Sequence, residues 1–161
     1  MDNFRGPPDL NFKPLTGADL PLVASWLARP HVAEWWDGPI PLEAGLRQFL
    51  ALLGDEPVGY VQSYRALDSH ADGWWLDVTD TGVVGIDQFL ADGTRLGQGL
   101  GTQMVREFVA ALFAEPHVTR VQADPSPANA RAIRCYEKAG FRRVREIVTP
   151  DGLALLMHRD R

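Results

Sequence analysis

The sequence predicts a single α/β domain of the α+β kind, built on a mixed sheet with helices on both of its faces. Three observations lead there. A strand–helix–strand–helix centre, running from Val83 to Phe141, is enclosed by segments that alternate like hairpin strands. The 161 residues suffice for one sizeable core and are few for two, so residues 1–161 read as one domain. With 45% hydrophobic and 23% charged residues, the chain has the composition of a folded globular protein.

Each element has its own signal. After an extended lead-in at Pro7 and Pro8, Asn11 to Leu15 alternates as a first strand. Thr16 with Asp19 three residues on forms a helix start, and Leu20, Val23 and Leu27 then share one helical face. "HVAEWWDGP" reads as a short helical turn running into a loop. Arg47 to Leu53 and Val58 to Tyr64 read as two strands of a hairpin joined by "GDEP". Val83 to Ala91 is a mostly apolar strand, and Leu100, Met104, Val105, Phe108, Leu112 and Phe113 recur at helical spacing after it. "VTRVQAD" is a further strand. "PSPANARAIRCYEKAGF" is a helix with Asn129 as N-cap and Gly140 as its stop. Val144 to Val148 and Leu153 to His158 close the chain as a hairpin over the turn "TPDG".

Charge and composition exclude several classes. The formal charge of −5 comes without a basic stripe, so nucleic acid is not the expected partner, and a small cationic molecule suits the balance better. No apolar run approaches the ~20 residues of a membrane span. "MDNFRGPPDLNF" has neither a basic start nor an apolar stretch of the signal-peptide kind. The one cysteine, Cys135, rules out an intramolecular disulfide and fits a reducing, cytoplasmic setting. His31, His70, His117 and His158 are dispersed without metal-ligand spacing, so no metal is expected. The sequence leaves monomer and homodimer both open.

The stretch "RLGQGLGTQMV" carries the first chemical signal. Gly97, Gly99 and Gly101 stand between a strand and an amphipathic helix, whose first N–H groups lack internal partners. Those donors and the helix dipole suit a pyrophosphate. The stretch lacks Gly-Lys-Ser/Thr, so it is not a Walker loop, and its G-x-G-x-G spacing is not the dinucleotide fingerprint. A plain glycine-rich turn is the other reading of this feature alone. Asp87 is the second signal, a carboxylate interrupting the near-apolar "VVGIDQF", where burial makes a charge costly.

Here the chain resembles the GCN5-related N-acetyltransferase superfamily, whose signature Q/R-x-x-G-x-G/A opens the central helix. Aligned on Gly99 and Gly101, Leu96 stands at the Q/R position and departs from that pattern. "PSPANARAIRCYEKAGF" resembles the second signature, N-x-x-A-x-x-x-Y-x-x-x-G-F, through Asn129, Ala132, Tyr136, Gly140 and Phe141. The resemblance implies a mostly antiparallel sheet with a parallel centre pair splayed around acetyl-CoA. It implies cofactor contacts from Gln88, Phe89 and Leu90 on the strand, from Leu96, Gly97, Gln98, Gly99, Leu100, Gly101 and Thr102 around the glycine turn, and from Asn129 and Tyr136. Backbone donors carry the pyrophosphate contact, so a Cβ added at Gly99 or Gly101 is expected to matter more than a change at Leu96. Tyr136 is expected to protonate the departing thiolate, a role a phenol can fill. Cys135 is read as a packed residue and not a nucleophile.

The segments "EWWDG", "GYVQSY", "DGWW", "GIDQFLA" with "LGQGLGT", and "ADPSPANARAIRCYEKAGF" with "TPDG" resemble, more narrowly, the aminoglycoside 6'-N-acetyltransferases. That resemblance implies substrate contacts from Trp35, Asp72, Trp74, Asp87, Asp124 and Asp151, with Asp87 as the base for the attacking amine, directly or through water. Taken alone, Asp72, Asp124 and Asp151 also suit ordinary turns. The stretch Asp37 to Gly54 is short for these enzymes: "IPLEAG" has room for little more than a turn, so the acceptor site should be more open. An N-acyltransferase acting on a siderophore precursor or another polyamine, and a non-catalytic acyl-CoA-binding sensor, are the alternative readings.

Overall fold

A computed structural model describes residues 10–161; the lead-in at Pro7 and Pro8 lies outside the described residues. The elements are β1 (Leu10–Pro14), α1 (Leu20–Leu27), α2 (Pro30–Ala33), β2 (Arg47–Leu53), β3 (Glu56–Arg65), β4 (Val83–Leu90), α3 (Leu100–Phe113), β5 (Arg120–Ala123), α4 (Ala130–Lys138), β6 (Arg142–Thr149) and β7 (Gly152–Asp160). They form one seven-stranded sheet in the order β1-β2-β3-β4-β5-β7-β6. Every neighbouring pair is antiparallel except β4 and β5. A parallel pair needs a long crossover, and α3 provides it.

The expected splay is present. β4 pairs β5 only from Val83 to Gly85, against Arg120 to Gln122. β4 then continues along β3 to Leu90, whereas β5 ends at Ala123, so the two part in the middle of the sheet. A cleft opens there.

Two faces of the sheet carry two cores. Val105, Phe108, Val109 and Leu112 of α3, with Ile133 and Tyr136 of α4, pack on Val84, Ile86, Val121 and Met157. On the other face, Val23 and Trp26 of α1 and Val32 of α2 pack on Leu50, Tyr60 and Phe89. Strand alternation sends neighbouring β4 residues to opposite faces. Val84, Ile86, Gln88 and Leu90 therefore share the α3–α4 side, and Gly85, Asp87 and Phe89 share the other.

Local signals place the elements well. The Asp19 carboxylate accepts the Thr16 N–H at 2.9 Å, closing the expected capping box, although a 3-10 turn at Gly17–Asp19 precedes α1. Asn129 Oδ1 accepts the Ala132 N–H at 3.2 Å and caps α4. Gly140, at φ +95°, stops that helix, with the Phe141 N–H returning to the Tyr136 carbonyl. Strand ends differ from expectation. Leu53 pairs Glu56, so the first hairpin turns on Gly54 and Asp55 alone and β3 starts earlier than Val58. β5 is shorter than "VTRVQAD" suggests, and 3-10 turns at Ala66–Asp72 and Gly93–Arg95 were not foreseen. Between residues 37 and 46 there is no helix, as the short "IPLEAG" predicted.

Candidate active site

The glycine turn orients backbone rather than side chains. Asp92 Oδ1 accepts the Thr94 N–H at 2.9 Å and starts the turn, and Gln98 Nε2 donates to the Thr94 carbonyl at 3.0 Å. Arg95 pairs with Glu56 at 3.0 Å. Leu96 packs against Leu10, Ala51, Val58, Leu90 and Met104, which explains why an apolar residue fits at the position where the signature has Gln or Arg. Gly97 and Gly99 have φ of +77° and +86°, and Gly99 is the N-cap of α3. A side chain at either would be strained. The N–H groups of Leu100, Gly101 and Thr102 are then left without intrahelical acceptors, at the positive end of a 14-residue helix. At Gly101 a Cβ meets Cys135 Sγ and Leu90 Cδ1 at 3.6 Å, an ordinary contact. Its surroundings in the free chain accept a methyl group.

Tyr136 is on α4, which packs beside α3. The ring is 5% exposed and packs against Phe141 at 5.3 Å. Its hydroxyl shares a hydrogen bond with the Gln88 side chain, and burial, then the charge of Asp87, holds its pKa well above the usual phenol value. Tyr136 therefore stays protonated throughout the neutral range. Cys135, beside it, is partly buried, with its thiol pushed up by burial and its Sγ 3.9 Å from Thr102 Oγ1, so the nucleophile role finds no support.

Three of the four predicted acids come together. Asp87 lies on β4 just beyond the last β4–β5 pair, and Asp124 follows the end of β5. Asp151 is in the β6–β7 turn. Burial raises the Asp87 carboxyl, Asp151 adds to the rise, and the Gln62 amide opposes it, with Gln62 Nε2 donating to Asp87 Oδ2 at 3.0 Å. Asp124 is lifted to about 8 by burial, then by the charges of Asp87 and Asp151. Asp72 stays apart: it is exposed at the end of the 3-10 turn, and its neighbour Gly73 approaches Pro150, next to Asp151.

The two tryptophan pairs each divide. Trp36 meets Tyr60 and Phe89 edge-on at 6.0 and 5.1 Å, whereas Trp35 is 39% exposed. Trp75 is buried and donates from Nε1 to Tyr64 Oη at 3.1 Å, whereas Trp74 is partly open. Gly85 makes this arrangement possible, since a Cβ there would sit 2.4 Å from the Tyr64 ring. Trp75 adopts φ 54°, a costly backbone for a bulky residue, held by His70 Nε2 at 2.7 Å from its carbonyl oxygen. The segment carrying Asp72 and Trp74 is thereby pinned to the sheet. A groove of about 370 Å³ runs on between this segment and β6–β7, with Trp74, Gln122 and Thr149 among its walls.

Sequence reasoning gave no role to Gln62, to Tyr64, or to the Gln88 side chain as the partner of Tyr136. The period-two run Tyr60, Gln62, Tyr64 in "GYVQSY" was the available signal, a polar row on the face of β3 beside Asp87.

Together these features fit acetyl-CoA: free N–H groups at the α3 terminus for a pyrophosphate, a cleft between β4 and β5 for an extended arm, and a phenol at its inner end. Among the described residues, no group of His, Cys, Asp and Glu is arranged to hold a metal ion.

Comparison with known proteins agrees. Residues 16–149 match the acetyltransferase (GNAT) domain model. The chain is 47% identical over 159 residues to aminoglycoside N(6')-acetyltransferase type 1 of Klebsiella pneumoniae, covering 89% of this chain and 79% of that protein. It superimposes with a TM-score of 0.90 on the crystal structure of aminoglycoside acetyltransferase AAC(6')-Ib with coenzyme A and kanamycin, at 46% identity, covering 95% of each chain. A lysine N-acyltransferase, MbtK of a Mycobacterium species, is 31% identical over 137 residues, covering 76% of this chain and 55% of that protein. By the domain match and the identity over most of both chains, the chain belongs to the GNAT acetyltransferase family.

Proposed function

We propose that this protein transfers the acetyl group of acetyl-CoA to the 6'-amino group of an aminoglycoside by direct attack of the amine. The observation that carries this reading is the convergence of Asp87, Asp124 and Asp151 at the cleft. An aminoglycoside carries several ammonium groups, and carboxylates within a partly desolvated cleft concentrate such a polycation. The names of the relatives at 46–47% identity support the same acceptor class.

Each residue has a chemical task. The N–H groups of Leu100, Gly101 and Thr102 hold the pyrophosphate, and Asn129, at the start of α4, faces the pantetheine arm. Gln88, Phe89 and Leu90 line the arm along β4. Trp35 and Trp74 flank the sugar rings, while Asp124, Asp151 and Asp72 hold ammonium groups. Asp87 takes the proton from the attacking amine, directly or through a water molecule. Tyr136, kept protonated by its buried setting, delivers a proton to the departing thiolate. Acyl transfer proceeds in one step, without an acyl-enzyme.

Acetyl-CoA with kanamycin, ribostamycin, L-lysine and spermidine, followed by mass spectrometry and NMR of the products, tests the proposal. The expected result is a singly acetylated aminoglycoside modified at the 6'-nitrogen. Acetylation of lysine or spermidine alone would replace it with the polyamine alternative, and tight acetyl-CoA binding with no acetylated amine would remove the enzyme reading.

A further inference from the structure

A row of polar side chains crosses three strands to reach Asp87. Gln48 on β2 is opposite Gln62 on β3, and Gln62 is opposite Asp87 on β4. The Tyr60 hydroxyl, two residues along β3 on the same face, bridges the two glutamines. Gln48 Nε2 donates to Tyr60 Oη at 3.1 Å, and Tyr60 Oη donates to Gln62 Oε1 at 2.6 Å. Gln62 Nε2 donates to Asp87 Oδ2 at 3.0 Å.

The direction of this chain is fixed at its far end by backbone. The Glu43 N–H can only donate, and it donates to Gln48 Oε1 at 3.1 Å; the Pro41 carbonyl can only accept, and it accepts from Gln48 Nε2 at 2.9 Å. The Gln48 amide is therefore held with its NH₂ toward Tyr60. Having accepted there, the Tyr60 oxygen sends its proton to Gln62 Oε1, which leaves the Gln62 NH₂ for Asp87. Gln48 and Tyr60 are 8% and 0% exposed, so water does not compete for these groups.

We propose that Gln48 and Tyr60 are positioning residues that act through Gln62 to hold Asp87 as a carboxylate, ready to take a proton. This inference rests on the reading of Asp87 as the base. It also ties the short segment bearing Pro41 and Glu43, next after the exposed Trp35, to the reacting centre. An N–H aimed at a carboxylate favours its charged form, against the burial that opposes it. The other groups acting around Asp87 are Tyr64 from β3, Asp124 after β5, Asp151 from the β6–β7 turn and Tyr136 from α4; Gln88, next on its own strand, is engaged with Tyr136. None of these supplies a cation to Asp87, so the Gln62 amide is the group that offsets its burial. Tyr60 is suited to pass on a fixed polarity, because burial lifts its phenol to about 12 and keeps it protonated.

The test uses Tyr60→Phe, which keeps the ring stacked on Phe89, and Gln48→Met, which keeps the side-chain length without the amide. Two quantities are measured: the pH profile of kcat/KM for kanamycin acetylation, and the ¹³C-NMR titration of Asp87 in aspartate-labelled protein, its signal identified by its loss in Asp87→Asn. The expected result is an upward shift of the acid limb and of the Asp87 titration by about 0.5 to 1 unit in Tyr60→Phe. Gln48→Met should shift both in the same direction by less. KM for acetyl-CoA should stay where it is. Thermal unfolding of each variant separates loss of fold from loss of polarity. Variants that scale the profile down or lower the melting temperature, with both titrations unmoved, would overturn the proposal. Asp87→Asn with wild-type turnover would instead overturn the base assignment, and the NMR titration would still report on the relay.

Discussion

Asp124 stands across from Asp87 where β4 and β5 separate, and its carboxyl, lifted first by burial and then by the charge of Asp87, titrates at about 8. An acid in that state is a poor contributor to the stability of the free protein, and an ammonium group bound beside it would favour release of its proton.

The pH dependence follows from the sign of that shift. Between the ordinary value of 3.8 and about 8, the folded chain keeps a proton that the unfolded chain has released. The group therefore destabilises the fold increasingly as pH rises through that window, by at most about 1.4 kcal/mol per pH unit. Asp124→Asn should stabilise the free protein at pH 8, less at pH 6, and not at all near pH 4. Urea unfolding at the three pH values checks this; a gain equal at all three would contradict it.

Tyr136→Phe removes the hydroxyl and leaves the ring against Phe141. Turnover should fall by about 10²- to 10³-fold, the range for loss of a general acid. Acetyl-CoA affinity, measured by calorimetry, should change by less than about threefold, since the backbone donors are untouched. Wild-type turnover would show that the thiolate takes its proton elsewhere.

The two glycines at the helix start should behave differently. Gly99→Ala places a Cβ on a backbone at φ +86°, at a cost of about 1 to 2 kcal/mol, or a relaxation that turns the N–H groups away. KM for acetyl-CoA should rise and the melting temperature fall. Gly101→Ala has room beside Leu90 and Cys135 and gains helix propensity, so the free protein should be as stable or more so. Equal destabilisation by both would contradict the geometry.

The tryptophans divide in the same manner. Trp36→Ala empties an aromatic cluster with Tyr60 and Phe89 and should lower stability by about 3 kcal/mol. Trp35→Ala, at an exposed position, should change stability by less than about 0.5 kcal/mol and raise KM for the aminoglycoside several-fold. Thermal unfolding and initial rates on the two variants separate a core role from a ligand role.

These cases show what was legible beforehand. The glycine turn and the capped Asn129–Tyr136 helix were readable because backbone conformation and helix capping are local, written within a few residues of each other. The splay of β4 from β5 was legible only through the resemblance, since where two strands part depends on their pairing. "EWW" and "DGWW" marked four tryptophans without saying which of each pair turns inward, because that choice is made by Phe89 and Tyr64 on distant strands. Gln48, Tyr60, Gln62 and Asp87 align only once β2, β3 and β4 are in register, so no spacing within one strand reveals the row. The room that Leu90 and Cys135 leave beside Gly101 is likewise set by distant elements and not by the spacing of the glycines.

The central claim is that Asp87 serves as the base for a cationic amine brought in by the surrounding acids. Kanamycin acetylation by Asp87→Asn, measured against the unaltered protein from pH 6 to 9, tests it most directly. Turnover should drop by about 10²- to 10⁴-fold at pH 7 and recover part of that loss toward pH 9, where the amine sheds its own proton. Turnover by Asp87→Asn equal to that of the unaltered protein at pH 7 would contradict the claim.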